Sequence, residues 1–563
     1  MRKVWLVALL AIASSLIIFA ADWPMPGGSP QRNGWARSER LINKGNVAKL
    51  KLLYKFQAEN ISRGLNSLTP PIVNGNLITY RGFKEMLMFG ASSDKVFSVD
   101  ADLNHLLWQS HLEYQADKPQ SQTVKAVCPG GLTSPIAMAG SSSAAMHFAA
   151  EASRTPAVAG GKPKRPSPYF PPLSQSVYPM KPTTLTQLAA LYTVSSDGKL
   201  HVLNSSTGEN LISPIQYLPP NAKVTSLNIW DNVVYATTGG NCDGYQNALY
   251  AVDLLSNAKK VTLFVPQSGG FAGIAGTAIG NNGTVYAQVM YAPPTTTTKA
   301  LRDTVVALNP KDLTVKDYFT PRDEAIEKKD DGGPGITPMV FSSMGRDLVL
   351  AGGRNGRLYL LDSRSLGGAD HSTPLVETDP IAHRAKNYDG RGFRGAFSTW
   401  WDVDTETRWM YAPVAGAPGS PFQLSEKNNI PANGSIVALK LTQANGRPDL
   451  QPVWISPDIV SPSPAVIANG MVFTLSTGET SRVAKKDGTP YSVAEWDELA
   501  GKATLYALDA LTGNQLYSSG DTVSSYSHAA SVAIANGRVY FVTHDNAVYC
   551  FGFQGEQLQL TEQ

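Results

Sequence analysis

Apolar residues recur along this chain in short strand-length runs, each followed by an acidic or amide residue, and the unit is written eight times over. The runs begin at Val96-Phe97, Leu200-His201, Leu249-Tyr250, Val305-Val306, Leu358-Tyr359, Ile436-Val437, Leu505-Tyr506 and Val548-Tyr549. The fullest copy reads Ala507-x-Asp509-x-x-Thr512-Gly513-x-x-x-Tyr517. Its spacing returns in Ser98-x-Asp100-x-x-Leu103-Asn104-x-x-x-Trp108 and in Val202-x-Asn204-x-x-Thr207-Gly208-x-x-x-Ile212. A period of roughly 45 to 70 residues with inserted loops predicts a β-propeller.

The turns support strands. Asn74-Gly75, Asn282-Gly283, Asn469-Gly470 and Asn536-Gly537 precede several copies. Both residue types accept positive φ, so a two-residue turn of this kind matches the twist of its strands. The segments 467–473 and 534–540 are near duplicates, in turn and strand together. Further tight turns at Ser196-Asp197-Gly198, Asn355-Gly356 and Asp545-Asn546 give each unit signals for three or four short antiparallel strands. Four such strands make a blade.

The last copy, Val548 to Phe553, runs into only a short polar tail and lacks an outer strand. Lys51-Leu52-Leu53-Tyr54-Lys55-Phe56 resembles the strand after Asp100 and can supply it, leaving no open radial edge. The expectation is an all-β, eight-bladed propeller of four-stranded antiparallel blades closed by an N-terminal strand, with seven blades as the alternative.

Composition narrows the class. The chain has 563 residues, 42% apolar and 17% charged, with a net charge of +3. One large propeller uses that length, and the charge is too mild and too evenly spread for nucleic acid. Arg2 and Lys3 precede the apolar run Val4 to Phe19, and Ala20-Ala21 offers a small-residue cleavage site. Residues 1–21 therefore read as a signal peptide. An uncleaved membrane anchor is the other reading, because the run is near the lower length for spanning. No cysteine follows until Cys128, which speaks against a lipoprotein. The expected location is periplasmic or secreted. Of three cysteines, Cys128 and Cys242 fall in loops and are the expected disulfide, while Cys550 falls in a strand.

Residues 22–60 form a leading segment and closing strand, and 61–563 the propeller. A low-complexity insertion, rich in Ala, Ser, Gly and Pro, spans about 115–182. A second, Asp379 to Trp409, gathers Asn387-Tyr388-Asp389-Gly390-Arg391-Gly392-Phe393-Arg394 with Trp400-Trp401. It reads either as a ligand-touching loop on the top face or as a packed connection. In the third, Gly478 to Gly501, Ser492-Val493-Ala494-Glu495 is a capping box before a short helix.

The Ala-x-Asp-x-x-Thr-Gly-x-x-x-Trp spacing resembles that of the quinoprotein propellers over nearly the whole mature length. Their members include quinone-dependent alcohol dehydrogenases and the outer-membrane assembly lipoprotein. Asp22-Trp23-Pro24, Gly27-Gly28 and Asn46-Val47-Ala48-Lys49-Leu50 are similar to the start of the dehydrogenases. Gly367-Gly368-Ala369-Asp370-His371, Gly333-Pro334-Gly335-Ile336-Thr337-Pro338 and Thr543-His544-Asp545-Asn546 look most like a secreted group of PQQ-like propellers of undefined role. Thr320-Pro321-Arg322-Asp323-Glu324 resembles the dehydrogenases' Thr-Pro-His-Asp-Glu loop. Arg354, ahead of Asn355-Gly356, stands where the enzymes have an Arg or Lys that reaches the quinone oxygens. By this resemblance Arg354, Asn355, Asp323, Trp400 and Trp401 are the candidate cofactor residues, with PQQ and Ca²⁺ the implied cofactors. The alternative for Arg354 is a turn residue paired with a neighbouring blade.

The resemblance also departs. The enzymes' Gly-Asp-Asn segment, whose Asp takes the alcohol proton, is replaced by Thr295-Thr296-Thr297-Thr298-Lys299-Ala300-Leu301-Arg302, with no carboxylate before Asp303. Threonine cannot serve as a base at neutral pH. The calcium site's Gly-Asn is replaced around Met290-Tyr291-Ala292-Pro293, and the vicinal Cys-Cys is missing. No metal ligand set is assigned. Asn241 and the run Asp323 to Asp331 are a differently arranged metal site or, alternatively, a solvated loop. Only Trp108 keeps the strict Trp spacing, Trp454 is displaced by an insertion, and Tyr517 or aliphatics stand elsewhere.

Two functions follow. The first is a monomeric envelope propeller that binds a protein, peptide or small molecule on its top face; the second is a divergent quinoprotein oxidoreductase. The missing base and calcium ligands favour the first. The scattered histidines show neither a hydrolase nor a zinc arrangement.

Overall fold

The computed structural model describes residues 21–79, 82–112, 135–139, 190–266, 270–273, 275–290, 303–322, 335–384, 390–419, 431–444, 447–482, 484–485, 487–528 and 531–554. Their strands form eight antiparallel sheets plus a two-residue parallel pair. The strands of each sheet are lettered a to d outward from the axis. In the first blade they are Ile72–Thr79, Gly82–Gly90, Lys95–Asp100 and His105–His111. Every apolar run picked out in the sequence is a strand c: Lys95–Asp100, Lys199–Asn204, Leu249–Asp253, Thr304–Leu308, Leu358–Asp362, Gly434–Ala444, Thr504–Asp509 and Ala547–Gly552. Strand d of the eighth blade is Lys51–Gln57, paired antiparallel with Ala547–Gly552. The ring therefore has eight blades, not seven, and closes as expected.

Three expectations need correction. Asn74-Gly75 is not a hairpin turn, because Ile72–Thr79 runs through it and a shift between Asn74 and Leu77 absorbs the extra residues as a bulge. The low-complexity span contains Ala137–Met138, the inner strand of the second blade, pairing with Tyr192 and Leu191. Much of Asp379 to Trp409 is likewise inner strand: Gly392–Phe393 and Ser398–Asp402 both pair with Thr407–Ala415 in the sixth blade. Aromatic and glycine residues there meet the packing needs of a blade centre. By contrast, Asn469-Gly470 and Asn536-Gly537 both take positive φ at each residue, as their hairpins require.

Blades dock through an aromatic residue at a shared irregularity. In strand d of five blades the register slips by one residue. The residues paired at that slip include Trp108 opposite Ser98, Trp454 opposite Ala438, Tyr517 opposite Ala507 and Tyr54 opposite Cys550. Trp108 Nε1 donates to Ser205 O of the next blade at 2.9 Å, and Trp454 Nε1 to Ala510 O at 3.0 Å. Each indole lies on a glycine of the Thr-Gly turn, so a Cβ on Gly208 or Gly513 would stand 2.5 Å from the ring. Trp454 keeps the contact because its insertion only lengthens the hairpin beyond it.

A collar fills the axis. Strand a has a sheet neighbour on one edge only, and its other edge faces inward. Residues 21–36 run round that inner edge and touch all eight blades in turn. Ala21 N donates to Asn536 Oδ1 of the eighth blade at 2.7 Å. Trp23 exchanges two hydrogen bonds with Val73 of the first. Met138, Ile279, Val340 and Thr399 donate backbone N–H to Pro24, Pro30, Gln31 and Asn33, and Ile467 pairs with Gly34 and Ala36. The third blade is reached by Arg32, whose guanidinium donates to Leu227 O, Thr277 O and Pro26 O. Burial lowers the pKa of Arg32 to about 9.

The eighth and first blades are latched by side chains as well. Tyr54 Oη donates to Ala101 O at 2.9 Å, doing for this junction what indoles do elsewhere. Arg538 lies between Glu85, at 3.0 Å, and Asp102, at 2.6 Å, and Tyr540 Oη donates to Glu85.

Two predictions follow from these contacts. Gly513→Ala forces both a strained φ of +75° and a clash with Trp454 and should cost about 2–4 kcal/mol in urea unfolding. Gly488→Ala, at φ +86° with open space around it, should cost only about 1–2 kcal/mol. Burial pushes the Glu85 carboxyl from 4.5 up to about 7, against the pull of Arg538. The native state then holds a proton that the unfolded chain has released, so this group makes stability fall as pH rises from about 4.5 to about 7. Glu85→Gln should flatten that limb of the urea midpoint against pH.

Candidate functional site

Up-and-down strands place all a–b and c–d turns at one end of the ring and all b–c turns and d–a connections at the other. The collar contacts cluster toward the first end, where Asn536 and Ile467 sit beside their a–b turns. The second end is the candidate binding face, and charge is buried there. Arg63, Asp94, Asp197, Arg354 and Glu479 all belong to its turns and connections and are under one-tenth exposed. Burying charge is costly unless it is paired or used.

Arg354 lies in the b–c turn of the fifth blade and is 7% exposed. Its backbone N–H donates to Asp303 Oδ2 at 2.9 Å, and Gln288 Nε2 donates to Asp303 Oδ1 at 3.0 Å and to Gly352 O at 2.7 Å. Asp303, which immediately precedes strand c of the fourth blade at φ 50°, thus brings a carboxylate to Arg354. The sequence reading passed over it. Asn355 serves its own turn, donating to Tyr359 Oη at 2.7 Å and accepting from Arg357 N.

Trp400 and Trp401 do not join this site. They lie in Ser398–Asp402, next to an a–b turn and therefore at the opposite end of the ring, where Trp400 packs against the apolar cluster around Trp409 and Ile467 and Trp401 faces the Arg408 guanidinium. Strand pairing opposite Trp409 and Arg408, rather than a loop, fixes them there. Asp323 lies outside the described residues, as do residues 291–302 and 324–331.

A second cluster spans the sixth to eighth blades. Glu479, its side chain 1% exposed, accepts from Arg394 Nη2 at 2.9 Å and is 2.5 Å from His528 Nδ1. Burial pushes its carboxyl up, but the charges and hydrogen bonds of His528 and Arg394 outweigh burial and hold it below the ordinary value. His544 stacks on Tyr526 at 4.7 Å, and its Nε2 is 3.0 Å from Gly64 O. On the same face, burial pushes Asp94 up to about 6, while Ser196 of the second blade donates to it through both N–H and hydroxyl. Lys223 opens strand a of the third blade, and desolvation lowers its pKa. The helix Val493–Leu499 has its capping box, with Glu495 N donating to Ser492 Oγ.

Ser195, His201 and Asn210 form a chain with Ser195 Oγ 3.0 Å from His201 Nε2 and His201 Nδ1 3.1 Å from Asn210 Oδ1. The spacing imitates a nucleophilic triad that the sequence did not suggest. Ser195 and His201 are each 3% exposed and Ser195 Oγ donates to Asp197, so the chain braces the second blade.

Cys242 is in a disulfide and Cys550 is a free, buried thiol. Cys128, the expected partner, lies outside the described residues, as do residues 1–20. Among the described residues no helix is long and apolar enough to cross a membrane.

No family model matches the sequence, and no curated protein is similar to it in sequence. Solved structures share the fold. The quinohemoprotein alcohol dehydrogenase of Comamonas testosteroni aligns over 96% of this chain and 82% of its own, at 13% identity and a TM-score of 0.56. A europium-containing methanol dehydrogenase aligns over 95% and 98%, at 12% identity and 0.56. BamB from Moraxella catarrhalis covers 65% of this chain and 94% of its own at 13% identity, with a TM-score of 0.37. The chain shares its eight-bladed propeller fold with these two dehydrogenases.

Removing the buried carboxylate tests how the second cluster is balanced. Glu479→Ala leaves Arg394 without its acid and should cost about 3–5 kcal/mol in urea unfolding, and Glu479→Gln, which keeps an acceptor, should cost less.

Proposed function

We propose that this chain is an exported, monomeric ligand-binding propeller of the cell envelope, receiving a small molecule, peptide or protein on the face of b–c turns and d–a connections. The observation that carries this reading is the buried charge on the face the collar leaves open: Arg63, Asp94, Asp197, Arg354 and Glu479 lie in its turns and connections, and the collar fills the axis at the other end. Export rests on the Arg2-Lys3 start, the apolar run and Ala20-Ala21.

One observation favours a quinone-dependent oxidoreductase instead. Asp303 beside Arg354 supplies a carboxylate near the position the dehydrogenases use for their base. Both Asp303 oxygens accept from N–H groups, and among the described residues no three His, Cys, Asp or Glu side chains gather as a ligand set for the calcium that accompanies such a quinone. No chemical step is therefore derived through quinone or metal, and binding is the conclusion.

Titrating the purified chain with PQQ and Ca²⁺, while following quinone absorbance and dye reduction with alcohols or sugars, separates the two. The binding reading expects no alcohol-dependent dye reduction. Saturable PQQ binding and dye reduction, both lost in Arg354→Ala, would overturn it in favour of the enzyme.

A further inference from the structure

Apart from the Arg354 region, the junction of the seventh, eighth and first blades holds a small, partly open cleft. Its apolar walls include Leu65, Leu68, Pro70 and Val542, and its polar lining includes Asn66 and His528. We propose that this cleft binds a small neutral molecule through an adjacent hydrogen-bond donor and acceptor, a hydroxyl or an amide, with His528 as the recognising group.

The argument starts from Glu479. A carboxylate this deeply buried needs its charge met, and Arg394 meets it at 2.9 Å. The His528 ring, with Nδ1 2.5 Å from Glu479 Oε1, is then held in one orientation. At a pH where the ring is neutral, Nδ1–H donates to the carboxylate and Nε2 carries the lone pair. Nε2 has no hydrogen bond among the described residues and belongs to a side chain that is 25% exposed, so the acceptor is within reach of a ligand. His544, also lining the cleft, is committed to Gly64 O and the Tyr526 ring.

The second group is Asn66. Its backbone is locked by reciprocal hydrogen bonds with Arg63, and its Nδ2, buried in the cleft wall, has no partner among the described residues. A buried amide donor without an acceptor loses about 1–3 kcal/mol, which a ligand oxygen restores. In the proposed complex a hydroxyl donates to His528 Nε2 and accepts from Asn66 Nδ2, or an amide does the same through its N–H and C=O. The balanced Glu479–Arg394 pair favours a neutral ligand, and the four apolar side chains offer contact to its carbon atoms.

The test uses the full chain labelled with ¹³C-histidine, titrated with acetamide, propane-1,2-diol and N,N-dimethylacetamide, which lacks the donor. The His528 Cε1 signal is assigned by its loss in His528→Gln. A saturable shift with acetamide, with the diol or with both supports the site and tells amide from hydroxyl. In Asn66→Leu binding should weaken by about tenfold, and Glu479→Gln, which loosens the ring, should weaken it while leaving Cε1 visible. Near-ultraviolet circular dichroism of each variant checks that the fold persists. No saturable shift with either donor-bearing probe, equal shifts with dimethylacetamide, or unchanged affinity in a folded Asn66→Leu would overturn the proposal.

Discussion

A strand that borders the axis of a propeller has one edge in its sheet and the other facing the hole, where N–H and C=O groups find no neighbouring strand. Eight such edges arranged around a wide hole are the problem this molecule has to solve. Residues 21–36 solve it by lying along the inner edges and offering backbone or side-chain partners to each blade. The rest depends on this. The collar fixes the angular order of the blades and fills one end of the axis. Arg32 shows how far the arrangement goes, since a guanidinium is buried solely among carbonyls to join the third and fourth blades.

Much of the fold was legible because blade formation depends on side chains. Strand c is buried on both faces, so it reads as an apolar run, and every run was found. The duplicated hairpins at 467–473 and 534–540 showed because positive φ at both turn positions demands Asn-Gly. Asn74-Gly75 misled because a bulge uses the same residue types as a turn. The collar was not legible as such, since its contacts are mostly main chain to main chain and leave almost no pattern in side-chain identity.

The candidate site was legible only in part. Arg354 was found through motif resemblance, and the structure adds Asp303, which a count of positions had set aside. Trp400 and Trp401 looked like ligand-facing aromatics, but strand pairing puts them at the far end of the ring, Trp400 against an apolar cluster and Trp401 beside Arg408. Glu479 and His528 went unnoticed because they are 49 positions apart and single in the sequence; only the ring brings them together. Spacing reveals sites built within one hairpin, whereas this face is assembled from the ends of different blades.

The pairing of Lys51–Gln57 with Ala547–Gly552 has a consequence for biogenesis. The first strand made is completed by the last, and Ala21 meets Asn536 across 515 positions. A nascent chain therefore emerges with its clasp open and keeps it open until Ala547–Gly552 has been made, so blades formed early wait as an unsealed arc. Once sealed, both extremities are tied into the same sheet, and a cut in a surface loop would leave the pieces interlocked. Loss of Ala547–Gly552, by contrast, would unpair Lys51–Gln57 while the collar still held residues 21–36.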